Sequence, residues 1–259
     1  MNAICELMLV PVRSEPSDKS EMVTQLLFGE TFSLLEDNGN WILIKAHFDG
    51  YEGWIDKKQA TLISDDFLLK IKSHGSFLVT SNLAACRELS CNLEYILLMG
   101  SQLPLIEKDI FQVGDKNFVF SGTYSQTGLG FDNLKVVPVC LSYLNTPYLW
   151  GGRSIAGIDC SGLVQVAYNE CGMKMPRNAS QQASLGETID FVDEILPGDL
   201  AFFDNLSGDI THVGIIIGDR KILHASGKVR IDHLDHNGIY NSETNNYSHK
   251  LRIIKRFIE

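Results

Sequence analysis

The stretch "YLWGGRSIAGIDCSGLVQVAYNECG", residues 148–172, constrains this chain more than any other. A polar, glycine-rich run stops at Cys160, and an apolar-periodic segment starts there. From that cysteine, apolar residues fall at Leu163, Val164, Val166, Ala167 and Cys171, so the spacing predicts a helix packed on a neighbouring layer. Cys160 occupies its first turn. Unpaired backbone amides and the positive end of the helix dipole favour a thiolate there, the nucleophilic form of the side chain. The same amides suit an oxyanion. Gly151, Gly152, Gly157 and Gly162 let backbone and a bound molecule approach closely.

A nucleophile needs a base, and the chain has seven histidines. His212 opens the apolar run "HVGIIIG" and His224 sits in "ILHAS", both polar rings set into strand-like segments. If these strands pair antiparallel across "GDRK", the imidazoles lie side by side. One then takes the thiol proton while the other orients it. A lone histidine at a strand end is more often a satisfied polar group, but two of them with a cysteine at a helix start favour the catalytic arrangement. His47, His74, His233, His236 and His249 stand in polar or loop-like surroundings and read as surface residues.

Charge narrows the partners. A formal charge of −10 over 259 residues and a pI near 5.2 argue against a broad footprint for nucleic acid or an anionic membrane, both of which need clustered Lys and Arg. No window approaches the roughly 18 apolar residues of a membrane span. The opening "MNAICELMLVPVRSEPSDKSE" lacks a basic start and has only a brief apolar run, so it does not read as a secretory signal and the expectation is a cytoplasmic protein. Cys5, Cys86, Cys91, Cys140 and Cys171 read as reduced and mostly buried thiols. Cys86 and Cys91 have no second Cys or His pair to complete a tetrahedral zinc set, and no metal is expected.

Three segments follow along the chain. Residues 1–64 alternate apolar and polar in short runs between Gly, Asn and Asp turn signals, a small β-barrel pattern. Residues 65–125 are less regular, with "YILLMGSQLPLIEK" and "NFVFSGTYS" as strands around a turn at Gly114 and Asp115, and read as a second small β unit. Residues 126–259 begin with a linker passing into a helix, then the quoted stretch, a Pro/Gly boundary at "LPGDLAFF", and the two histidine strands.

Four motifs in this order, "PYLWGGRSIAGIDCSGLVQ", "PRNASQQ", "LPGDLAFF" and "THVGIIIGDRKILHAS", give residues 126–259 a resemblance to the NlpC family of cell-wall cysteine peptidases. The resemblance implies a C-terminal papain-like α+β domain with Cys160 as nucleophile, His212 as base and His224 as the orienting third member. The N-terminal part resembles bacterial SH3-like domains, with "GYEGWID" as the closing strand. This combination is similar to γ-D-glutamyl-L-diamino-acid endopeptidases of the dipeptidyl-peptidase VI type, which act on peptidoglycan-derived peptides such as L-Ala-γ-D-Glu-diamino acid.

By the same resemblance, Tyr148 supplies a hydroxyl near the oxyanion, and Asp159 and Ser161 shape the substrate pocket; capping of the helix by Asp159 is an equally good reading. Arg177 and Ser180 fix a substrate carboxylate or stabilise their loop, and Trp150 forms a pocket wall or packs structurally. Asn178 stands where many relatives carry Asp. In the SH3-like domain, Tyr51 closes the end of the cleft and Glu21 binds the ammonium of an N-terminal L-Ala, where ion pairing offsets desolvation. No cofactor is implied. Two other classes stay open: a wall-binding module with secondary or lost hydrolysis, and a Cys–His amidase or acyltransferase on another substrate.

Overall fold

Alternation near the N-terminus becomes strands in the computed structural model, which describes residues 1–257. β1 (Asn2–Ile4), β2 (Leu9–Arg13), β3 (Met22–Leu27), β4 (Thr31–Asn38), β5 (Trp41–Ala46), β6 (Glu52–Asp56) and β7 (Thr61–Ile63) form one antiparallel sheet, ordered β3-β2-β6-β5-β4-β1-β7. Val10, Val12, Ile42, Ile44 and Ile55 turn inward at the two-residue period of half-buried strands and share a core with Leu26 and Phe32.

A helix the sequence reading does not anticipate comes next. α1 (Asp65–His74) starts on Ser64, whose hydroxyl accepts a hydrogen bond from the Phe67 amide at 3.1 Å. β8 (Ser76–Val79), β9 (Leu83–Glu88), β10 (Glu94–Leu98), β11 (Ile110–Val113), β12 (Lys116–Ser121) and β13 (Tyr124–Thr127) follow, as a β10-β9-β12-β11 sheet and a β13-β8 pair. The expected segments 1–64 and 65–125 pack against each other within one compact unit, Met1–Leu129. The reason is aromatic. Phe28, fully buried, packs edge-on against Phe111 at 5.8 Å and Phe118 at 6.0 Å, so the first sheet finishes its core with side chains from the second segment. The boundary falls after Leu129 and not at 125/126, because β13 still pairs with β8 through Thr127.

The second unit starts at Gly130. It contains α2 (Asn133–Ser142), the short hairpin β14 (Arg153–Ser154) and β15 (Gly157–Ile158), α3 (Cys160–Glu170), α4 (Ala179–Ala183), and then β16 (Glu187–Ile189), β17 (Leu200–Asp204), β18 (Ile210–Gly218), β19 (Lys221–Ser226), β20 (Lys228–Asp235), β21 (Gly238–Asn241) and β22 (Asn246–Arg256). The strands make an antiparallel sheet ordered β16-β22-β17-β18-β19-β20-β21, and a further β21–β22 pairing closes six of them into a ring. Helices and an antiparallel sheet in one unit give the expected α+β class. The chain is thus multidomain, with the SH3-like β region first.

α3 packs on β18 and β19. It is buried on every face from Cys160 to Tyr168, which explains why its sequence shows only an approximate helical stripe. The preceding glycines let the loop lie directly on the helix start: a Cβ on Gly162 would stand 2.3 Å from the Gly152 carbonyl oxygen, and one on Gly152 would stand 2.4 Å from the Gly157 oxygen. Both contacts are with backbone, which cannot yield locally. Gly162→Ala is therefore expected to cost about 1–3 kcal/mol of stability through overpacking. Thermal unfolding of the variant checks this; an unchanged midpoint would contradict the close approach.

Candidate active site

Asp159 holds the start of α3. Its Oδ1 accepts from the Gly162 amide at 2.7 Å, which caps the helix, and Oδ2 accepts from the Gly151 amide at 2.8 Å, which ties down the glycine-rich loop. Arg177, 2% exposed, donates to both carboxylate oxygens, with Nη1 3.0 Å from Oδ1 and Nη2 closer to Oδ2, and Nη1 also donates to Ser161 Oγ at 2.9 Å. Burial makes this pairing obligatory, since leaving either charge alone costs about 3–5 kcal/mol. Asp159, Ser161 and Arg177 therefore act together as a brace beneath the nucleophile. Gln182 extends it by donating to the Ser161 and Pro176 carbonyls at 3.0 and 2.8 Å.

Cys160 is itself buried, and its thiol meets the backbone amides of Val213 and Ser161. Val213 follows the expected base, so the β18 backbone brings thiol and His212 into one place. Solvation opposes the thiolate expected from the helix terminus. Burial, with the Asp159 charge beside it, pushes the thiol up to about 11, outweighing the two amides and Arg177. Burial thus favours the protonated sulfur.

β18 and β19 pair in the expected antiparallel register, Gly214 opposite His224. His212 Nε2 lies 2.9 Å from His224 Nδ1, and His224 Nε2 lies 2.9 Å from Asp232 Oδ2 on β20. All three residues are buried. A buried carboxylate accepts, so His224 donates Nε2–H to it, leaving Nδ1 as an acceptor. His212 must then donate Nε2–H, which leaves His212 Nδ1 unprotonated as the base. Burial opposes the Asp232 charge, yet hydrogen bonds from His224 and Arg230 hold its carboxyl below the usual range. Arg230 Nε and Nη2 reach its two oxygens at 2.7 and 3.0 Å.

His249 differs from its expected place at the surface. Its ring is half-buried and stacked on His212, with centroids 4.0 Å apart and planes 19° from parallel. Burial pushes it down to about 4, and His212 falls well below 6.5 for the same first reason, followed by the neighbouring His249 and His224 rings. Tyr148 is half-buried. Burial and the nearby Cys160 and Asp159 charges push its hydroxyl up to about 12, which keeps it a hydrogen-bond donor. A cleft of about 300 Å³ opens here, lined by Tyr148, Thr211, His212, Ser226, Gly227 and His249 among others.

The structure thus brings together Cys160, His212, His224, Asp159, Ser161, Arg177 and Tyr148. Trp150 is 59% exposed in the glycine-rich loop, and Ser180 is exposed on α4. Tyr51, half-buried just before β6, and Glu21, exposed just before β3, belong to the N-terminal unit. Asp232 and His249 escape the sequence reading. Asp232 shares the inward alternation of Leu234, but "KVRIDHLD" is too polar to reveal which face is covered. His249 lies in "NYSHKLR", where no apolar run signals burial. Chemically, a neutral thiol, an unprotonated imidazole backed by a second ring and a carboxylate, and hydrogen-bond donors at a helix start suit acyl transfer from an amide.

Comparison with known proteins identifies relatives of both parts of the chain. The NlpC/P60 family model matches residues 145–248, and that of the bacterial dipeptidyl-peptidase Sh3 domain matches residues 12–59. A gamma-D-glutamyl-L-lysine dipeptidyl-peptidase of Bacillus subtilis is 30% identical over 223 residues, covering 78% of this chain and 71% of that protein. Dipeptidyl-peptidase 6 of Lysinibacillus sphaericus is 26% identical over 276 residues, covering 91% and 92%. An NlpC/P60 family protein from Bacillus cereus has the same fold over all of both chains, with a TM-score of 0.84 at 21% identity.

Two outcomes are expected from the titration and the relay. The neutral His212 base exists only above its pKa, so activity falls as pH drops through that value; because the value is depressed, the acid limb of kcat/KM should lie below pH 6.5. A limb at or above 6.5 would contradict the burial argument. Asp232→Asn loosens the tautomer of His224, one ring removed from the base. It should lower kcat measurably, but by less than the ~10⁴-fold seen when the carboxylate next to a triad histidine is amidated. Unchanged steady-state kinetics would remove Asp232 from the relay.

Proposed function

The chain belongs to the NlpC/P60 family, and we propose that this cysteine peptidase cuts the γ-D-glutamyl–L-diamino-acid bond of peptidoglycan-derived peptides bearing a free N-terminal L-Ala. The observation that carries the peptidase reading is the buried series His212, His224 and Asp232 beside Cys160. Support for the substrate comes from likeness to proteins named gamma-D-glutamyl-L-lysine dipeptidyl-peptidase and dipeptidyl-peptidase 6, and from the dipeptidyl-peptidase type of SH3 domain.

On this reading His212 Nδ1 takes the thiol proton as sulfur attacks the γ-carboxamide carbon. The Tyr148 hydroxyl and backbone amides at the start of α3 receive the oxyanion. Protonated His212 is stabilised through His224 and Asp232, then gives its proton to the leaving amine of the diamino acid. A water deprotonated by the same Nδ1 attacks the thioester and frees the acyl group. Asp159, Ser161 and Arg177 keep the sulfur in position throughout. A requirement for a free N-terminal amine would make the substrate a released fragment, in keeping with a cytoplasmic role in cell-wall recycling.

Two comparisons test the proposal. Cys160→Ala should abolish release of the diamino acid from L-Ala-γ-D-Glu-L-Lys or its diaminopimelate counterpart. N-acetylation of the L-Ala should lower kcat/KM at least about ten-fold, the equivalent of one lost charge-assisted interaction of about 1.5 kcal/mol or more. Equal rates on free and acetylated tripeptides would remove the amine-recognition part and leave a general amidase.

A further inference from the structure

Three imidazoles cluster at and behind the cleft wall, and the proton relay uses only two of them. We propose that His212, His224 and His249 form a site for a divalent transition metal of the Zn²⁺ class, and that filling it switches the peptidase off. One ligating nitrogen or potential ligating nitrogen from each ring lies within 4.8 Å of the others. Tetrahedral zinc with Zn–N bonds of about 2.0–2.1 Å places ligand nitrogens about 3.3–3.4 Å apart, so separations wider than that must contract and the His212–His224 pair must open slightly. His212 and His224 are at 2.9 Å. His249, the half-buried member, is the one that must turn off the face of His212 to present its lone pair.

A second observation points the same way. His224 donates Nε2–H to Asp232, leaving Nδ1 unprotonated and facing the cluster. A carboxylate behind a histidine in this manner is the usual support of a metal-binding imidazole, since it fixes the tautomer and raises ligand basicity. The cleft lined by His212 and His249 supplies an entry path and room for a water as fourth ligand. Three imidazoles select zinc, copper, cobalt or nickel over magnesium and calcium, which prefer oxygen.

Binding is balanced by a change of tautomer. The His212 proton moves from Nε2 to Nδ1 by way of solvent, the freed Nε2 and His224 Nδ1 each give a lone pair to the metal, and the hydrogen bond between the rings is replaced by two nitrogen–metal bonds. The connection from Asp232 to the base is then cut. Nδ1 of His212 now carries a proton and cannot take one from the thiol. The metal is thus an inhibitor and not a cofactor.

The test separates metal binding from peptidase chemistry. In Cys160→Ala protein, which has no nucleophilic thiol to supply a competing ligand, calorimetry with Zn²⁺ should show one ion per chain, and Co²⁺ should give a visible d–d band. Adding His249→Ala should abolish both, while Asp232→Asn should weaken binding about 10-fold. X-ray absorption on the Zn²⁺ complex, which does not depend on a variant folding well, should show three imidazoles. In the wild-type enzyme Zn²⁺ should inhibit over the concentration range in which Cys160→Ala binds it, and a chelator should restore turnover. Absent binding by Cys160→Ala, fewer than three imidazoles, or full turnover with the site occupied would each overturn the proposal. The binding measurements stand even if the substrate named above is wrong.

Discussion

The site depends on one buried carboxylate. Asp159 accepts from the Gly151 and Gly162 amides, from Ser161 Oγ at 3.3 Å and from both terminal nitrogens of Arg177. Those partners come from the loop before the nucleophile, the helix that carries it and the segment after that helix. A carboxylate with so many donors is worth its desolvation only when all are present, because a partly satisfied buried charge is strongly unfavourable. The network therefore behaves as a single piece, and Cys160, the next residue along, inherits its position.

The environment that fixes the sulfur also sets its protonation. A helix terminus alone would favour the anion, but here the terminus is inside the protein and already neutralised by an acidic cap. Desolvation wins for the thiol, and it wins for His212 as well. Burial disfavours a standing charge on either group, and so favours charge separation as the sulfur attacks. The second ring and Asp232 matter most at that moment, since they give the new imidazolium a hydrogen-bonded partner within a dry surrounding.

Much of this was legible in the order of residues. The helix begins at Cys160 as the periodicity predicts, and His212 and His224 come together because "GDRK" is short enough to force adjacent strands to pair antiparallel. Legibility fails where a feature depends on contacts distant in sequence. Asp232 and His249 sit in polar strands, and only closure of the sheet through β21 and β22 gives them their neighbours. The shift of Cys160 away from a thiolate is hidden for a related reason: burial is a property of the packed domain, and Leu163, Val164 and Ala167 show only that one side of the helix is covered.

The aromatic packing around Phe28 bears on how this architecture can be shuffled. A cassette cut after residue 64 would carry that ring without Phe111, Phe118 and Tyr95, exposing in water a side chain that is 0% accessible in the intact protein. Met1–Leu129 keeps that ring with all of its aromatic partners. Exchanging the first β segment alone would therefore require a matching aromatic set in the second.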